Sequence, residues 1–283
     1  MSGVGALTAL TVLALSMLAA EGATPSPART RSGSANPFAS PSLRAYLTAR
    51  GTNVTAAAYD INTGRTYLSR PGVREETASI VKLDILATLL REEQGRGGLS
   101  AEETGLAAGM IETSDNDDAT ALWNLEGGAP AVLAFDRAAG MGQTTPNAYW
   151  GHTTTTARDQ LRLLRRIMLP NRLLTRSSRR YAYELMRHVI PSERWGVSAG
   201  AGPRATVALK NGWFPRSGGG WQVNSIGEVA GSGRRYLLAV MTGRDPTEQY
   251  GIDTIERISV AAWRALRLRT LDGFTGPVSR RVA

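Results

Sequence analysis

Ile80 to Leu90 is apolar nearly all round. A helix of that composition belongs inside a core, not on a surface, so the rest of the chain has to enclose it. Yet Lys82 stands near its start, three residues after Ser79. Positions i and i+3 share one helical face, which sets an ammonium beside a hydroxyl. A serine hydroxyl is a poor nucleophile until a neighbouring base takes its proton. Lysine can be that base if burial or nearby positive charge lowers its pKa. Ser79 is therefore a candidate nucleophile and Lys82 its candidate base. The competing reading is an ordinary helix start, with Thr77 or Ser79 as N-cap and Lys82 reaching to solvent.

Two further signals follow in order. Ser114-Asp115-Asn116 lies 35 residues beyond Ser79, and Lys210-Asn211-Gly212 lies on a strand-like run from Thr206 to Phe214. Together, S-x-x-K, then S-D-N, then K-[TN]-G resembles the serine β-lactamase and penicillin-binding-protein superfamily, in its class A branch. The resemblance covers roughly Ser42 to Leu268. It implies acyl transfer through Ser79, with Lys82 activating the hydroxyl or relaying its proton. Ser114 would pass a proton to the leaving nitrogen. Asn116 would orient substrate and Lys82, and Lys210 would draw a substrate carboxylate. Asn211 and Gly212 complete the implied substrate-binding set, with N–H groups beyond Gly212 and at Ser79 facing an oxyanion. Asn211 departs from the family's usual threonine or serine. It removes a hydroxyl that meets the substrate carboxylate, which bears on substrate choice more than on reaction type.

Each later motif also has a plainer reading. Ser114-Asp115-Asn116 contains the preferred helix N-caps, and Lys210-Asn211-Gly212 could form an ordinary turn. Asp115, Asp117 and Glu126 fall at calcium-loop positions, but Thr120 stands where that loop needs glycine. Gly196-Val197-Ser198-Ala199-Gly200 matches the G-x-S-x-G nucleophile elbow. The elbow needs a strand before it and a helix after it, and neither flank fits. Its histidine should follow in the chain, yet His152 and His188 both precede it.

The resemblance also implies a second base, a glutamate on the loop after S-D-N that drives water onto the acyl-enzyme. The matching stretch, Arg137 to Arg158, has no aspartate or glutamate. Thr153 to Thr156 resembles the threonine run that closes that loop, so the loop reads as shortened. His152 is the titratable candidate nearby. These features argue against an efficient class A β-lactamase and permit acylation followed by slow hydrolysis.

The 283 residues suffice for one large domain or two lobes sharing a core. With no cysteine there is no disulfide, thiol chemistry or lipid-modified cysteine, and two histidines cannot make a three-histidine metal site. Neither cofactor nor metal is expected. The formal charge of +9 is arginine-rich, densest from Arg162 to Arg180. Without a nucleic-acid motif it reads as a solvated basic face, compatible with an anionic cell wall, so nucleic acid is not an expected partner.

Residues 1–23 read as a signal-like segment, with an apolar run from Leu7 to Ala20 but no lysine or arginine before it. Residues 24–41, rich in Pro, Ser, Ala and Arg, read as a linker. Residues 42–283 form the expected domain, with a helical lobe at about 79–204. A helix is expected over 42–49 with Ser42 as N-cap, then a hairpin of strands 54–59 and 65–68. Helices follow at 101–113, 119–125, 131–138, 155–168 and 181–188, then strands 206–213, 222–230 and 235–241, and a final amphipathic helix 252–266. The expected fold class is α+β: an antiparallel sheet built from both ends of the chain and flanked by helices, plus an all-helical lobe of the β-lactamase/transpeptidase kind. The expected function is that of an exported, monomeric serine hydrolase acting on a β-lactam or a peptidoglycan stem peptide. Its rivals are a D-alanyl-peptide carboxypeptidase or transpeptidase, and a β-lactam- or wall-binding protein without turnover.

Overall fold

Two stretches far apart in the chain share one sheet, and that pairing builds the platform under the site. The computed structural model describes residues 35–51 and 53–267. Helix α1, Pro41–Arg50, comes first. Strands β1, Asn53–Asp60, and β2, Arg65–Ser69, form a hairpin. A short strand β3, Arg74–Glu76, leads into a 3₁₀ turn, Ala78–Val81, and then α2, Lys82–Glu93. Helices α3, Ala101–Glu112, α4, Asn116–Glu126, and α5, Gly128–Ala139, follow. Strand β4, Thr154–Thr156, runs into α6, Ala157–Met168, and α7, Arg176–Arg187, comes next. Strands β5, Thr206–Pro215, β6, Trp221–Gly231, and β7, Arg234–Asp245, precede α8, Glu248–Ala265. The main sheet runs β2-β1-β7-β6-β5, antiparallel throughout, and β3 pairs with β4 in a second small sheet.

Side-chain alternation along the strands sends successive residues to opposite faces, and the sheet therefore divides two cores. Ala208, Ile226, Leu237, Ala239 and Met241 face the helical side, against α2 and α6. Leu209, Val223, Leu238 and Val240 face α8, with Ile255, Ile258 and Ala262. Helix α2 is buried from Lys82 to Leu90, as its composition demands.

The expected elements are present, with shifted edges. Ser40, not Ser42, caps α1, accepting from the N–H of Leu43. Phe38 is buried and the N–H of Ala35 donates to the carbonyl of Ala265, so the last part of the segment read as linker packs on the fold. The signal-like segment and residues 24–34 lie outside the described residues. Helix α7 begins at Arg176, five residues before its expected start, because its first turn is polar and carries no apolar period. Strands β3 and β4 were too short and too polar to show any alternation.

One burial was not legible at all. Asp84 on α2 and Asp136 on α5 are both fully buried beside each other; Gln160 lies next to Asp84, but no carboxyl oxygen of either accepts a hydrogen bond of full geometry. Two adjacent buried carboxylates cannot both ionise. A proton on one supplies the missing donor. Burial raises both pKa values, that of Asp136 to about 7, and in Asp84 the charge of Asp136 adds to the rise. A carboxyl whose folded pKa lies above its unfolded value contributes stability that is fully present below the unfolded value and lost as pH rises through the folded one. The melting temperature should therefore fall as pH climbs through about 7. In Asp136→Asn the amide is a permanent donor, and the decline should flatten by a few degrees. Thermal melts of both proteins across that range are the check; parallel curves would show that the pair does not titrate.

Candidate active site

Ser79 sits on the 3₁₀ turn, one turn short of α2, and not at a helix cap. Thr77 makes no side-chain cap bond, so the plain helix-start reading does not describe this segment. Ala78 is held at φ +48°, a left-handed conformation unfavourable to a residue with a Cβ. Two bonds fix the approach to the turn: the Asn224 side-chain amide donates to the carbonyls of Glu76, at 2.9 Å, and Thr77, at 2.8 Å. Ser79 is half-buried and opens on a cavity of about 480 Å³.

Lys82 is fully buried on α2. Its Nζ donates to Asn116 Oδ1 at 2.8 Å, to the carbonyl of Ser114 at 2.5 Å, and to Ser114 Oγ at 3.3 Å. Those three acceptors match the three donors of an ammonium. Burial, with the charge of Lys210 adding to it, still lowers the Lys82 pKa to about 7. The Trp150 ring lies 5.1 Å from Nζ and closes the solvent side. Lys210, also fully buried, donates to Ser114 Oγ at 2.7 Å and to the carbonyl of Asn211 at 3.1 Å. Burial lowers its pKa to about 8, with Glu193 opposing the shift. Ser114 Oγ thus accepts from both lysines. Its own proton is left free to be donated elsewhere.

The second motif is a cap and a site at once, divided between its residues. Asp115 caps α4, with Oδ1 accepting from the N–H groups of Asp117 and Asp118 at 2.8 and 2.9 Å. Ser114, at φ +60°, is turned out of the helical path toward the lysines. A strained non-glycine conformation costs on the order of 1–3 kcal/mol and persists where the surroundings over-determine it; here the two lysine bonds do so.

The third motif splits by strand alternation. Lys210 and Gly212 face the Ser79 side of β5, the edge strand of the main sheet. Any Cβ on Gly212 would lie 2.5 Å from the Ser79 nitrogen and 2.7 Å from that of Ile80, so only glycine lets β5 approach the turn this closely. Asn211 faces the opposite way. It is fully buried and its amide donates to the carbonyls of Glu193, at 2.7 Å, and Trp195, at 3.2 Å. The strand period carries this side chain to the face away from Ser79, where it anchors the segment before β5. Ser198 of the G-x-S-x-G match donates to the carbonyl of Arg194 at 2.8 Å, within its own turn and apart from the cavity lining.

Several participants had no sequence signal. Trp150 covers Lys82, Asn224 braces the Ser79 turn, and Glu193 lies close enough to perturb Lys210. His152 lines the Ser79 cavity, and its Nδ1 is 2.8 Å from Glu76 Oε1. Only the fold brings these residues together: His152 alone is singled out by the sequence, and no spacing in the chain points to Trp150, Asn224 or Glu193. Among the described residues no group of three or more His, Asp or Glu is disposed to hold a metal ion. Chemically, the arrangement offers a hydroxyl, a buried amine near neutrality, a proton-donating hydroxyl and strand N–H groups around one cavity, the set required for acyl transfer.

Residues 94–266, which include Ser114 and Lys210 but begin after Ser79, match the model described as the beta-lactamase enzyme family. Over 201 residues the chain is 27% identical to "Putative lipoprotein LppW" of Mycobacterium tuberculosis and to its namesake in Mycobacterium bovis, covering 68% of this chain and 63% of each relative. The match thus spans less than two thirds of the length of those relatives. Among solved structures, the class A beta-lactamase from Mycobacterium abscessus superposes with a TM-score of 0.69 at 22% identity, covering 79% of this chain and 97% of that one. A mutant of PBP-A in acyl-enzyme complex with penicillin G gives 0.69 at 20% identity, over 79% of this chain and 94% of that one. At these identities the likeness is one of fold.

The role assigned to Asn211 is open to test. Asn211→Ala leaves two buried carbonyls without a donor, at a cost of about 1–3 kcal/mol. The midpoint of a urea melt should fall accordingly, while covalent labelling by a fluorescent penicillin, measured well below that midpoint, should change far less than in Lys210→Ala. Equal loss of labelling in the two variants would return Asn211 to the substrate.

Proposed function

The chain belongs to the beta-lactamase enzyme family, and from that membership we propose that it is an exported serine hydrolase opening β-lactam or D-alanyl amide bonds through an acyl-Ser79 intermediate. The observation that carries this reading is Ser114 Oγ, held between Lys82 at 3.3 Å and Lys210 at 2.7 Å beside the cavity that Ser79 lines. Neutral Lys82 accepts the Ser79 proton as Oγ attacks the carbonyl carbon. Ser114 delivers a proton to the leaving nitrogen, and Lys210 draws a substrate carboxylate. Gly212 sets the β5 backbone against the Ser79 N–H, where the oxyanion forms.

The loop after α5 has no carboxylate from Arg137 to Arg158. General-base help is worth roughly 100- to 10,000-fold, so deacylation is the slow step. That feature also supports the second reading, a D-alanyl-peptide carboxypeptidase or transpeptidase. An extracytoplasmic site of action, with wall association and a monomeric state, is the setting that fits the basic surface and the signal-like N-terminus; among the described residues no helix is long and apolar enough to cross a membrane.

Intact-mass analysis with penicillin should show one adduct that persists for many minutes, absent from Ser79→Ala. A chromogenic cephalosporin should give a burst. Undiminished labelling of the alanine variant would sink the nucleophile assignment, and rapid turnover without a burst would sink slow deacylation. Release of D-alanine from a D-alanyl-D-alanine peptide would select the second reading.

Acylation should also rise with pH through about 7, as Lys82 loses its proton. Lys82→Arg, which stays protonated, should acylate at least about 100-fold more slowly. A normal rate in that variant would reduce Lys82 to a structural charge.

A further inference from the structure

Hydrolysis of an ester at Ser79 needs a group that can take a proton from water beside that ester. Of the described residues lining the Ser79 cavity, Tyr149 and His152 are the ones with an ionisable side chain. Tyr149 is 78% exposed.

His152 is held in place. Its Nδ1 lies 2.8 Å from Glu76 Oε1, and its ring stands edge-on to Phe214 with centroids 5.2 Å apart. Glu76 Oε2 is in turn engaged by Arg216 at 3.0 Å, so the carboxylate is fixed from its other side. With Nδ1–H donating to Glu76, the lone pair is on Nε2. The pair is also built into the backbone that carries the nucleophile. Glu76 ends β3 three residues before Ser79 and is paired with Thr154 of β4. The N–H of Thr77 donates to the carbonyl of Thr153 at 2.8 Å, and Thr77 Oγ1 to that of Gly151 at 3.4 Å. The Ser79 turn and the 3₁₀ turn Trp150–His152 are thus clamped as one unit.

We propose that His152, oriented by Glu76, is the general base that directs water onto acyl-Ser79; this rests on the acyl-Ser79 reading above. As the water oxygen bonds to the acyl carbon, its proton passes to His152 Nε2. The bond between the acyl carbon and Ser79 Oγ then breaks, and Oγ takes the proton back from the imidazolium. The products are a carboxylic acid and free Ser79. An imidazole entering from the rim of the cavity replaces a loop carboxylate, and Glu76 is its positioning residue.

The test follows the penicillin adduct of the full chain by intact mass, with the burst of a chromogenic cephalosporin as the measure of acylation. His152→Gly should acylate at close to the parent rate, while its adduct decays at least about 10-fold more slowly. Added imidazole should restore the decay, which a merely structural histidine would not allow. Glu76→Gln should slow decay by a smaller factor without imidazole rescue. An adduct on Ser79 that decays at the parent rate in His152→Gly would overturn the assignment, and so would slow decay that imidazole cannot rescue. Failure of the parent to form any Ser79 adduct would instead remove the acyl-enzyme reading itself.

Discussion

One hydroxyl oxygen organises this site. Ser114 Oγ accepts from Lys82 and Lys210, two lysines that are both without solvent contact. Two buried ammonium groups sharing an acceptor repel each other, and burial makes both charged forms costly. The result is a pair of amines held near neutrality, which is the condition for lysine to act as a base at physiological pH. Everything nearby maintains that burial. Helix α2 is enclosed from Lys82 to Leu90, the Trp150 ring lies over Lys82, and β5 brings Lys210 in from the sheet.

The same requirement explains where the backbone is strained. Ser114 and Ala78 both adopt positive φ without being glycine. One aims a hydroxyl at the lysines and the other shapes the turn that presents Ser79. Gly212 does the complementary work by leaving out a side chain, since any Cβ there would displace the Ser79 turn. These placements work because β1 and β7 pair, locking the two ends of the domain into one sheet and fixing β5 as its edge.

The loop between α5 and α6 gives the site its individual character. It supplies no carboxylate, yet it is clamped to the strand leading to Ser79 and carries both Trp150 and His152 to the cavity. Its Tyr149 and Trp150, with Trp213 and Phe214 of β5, give the cavity a largely aromatic wall.

The three motifs, their order and the α+β layout were readable in the chain because each depends on local spacing: i, i+3 on a helix, period two on a strand, and a cap before a helix. The alternation that sends Asn211 away from the site was readable in principle too, and was overridden by the motif's family pattern. Long-range placement was not readable. Nothing in the local sequence sets Glu76 beside His152, 76 residues apart, Asn224 beneath Thr77, 147 residues away, or Asp84 against Asp136. Those contacts depend on how strands from opposite ends of the chain register in one sheet and how helices pack over it. The sequence alone determined which chemical groups are present and which local face each occupies. Only the tertiary structure decided which of them meet, because burial, shared protons and the lysine pKa values are properties of neighbours that the chain does not place side by side.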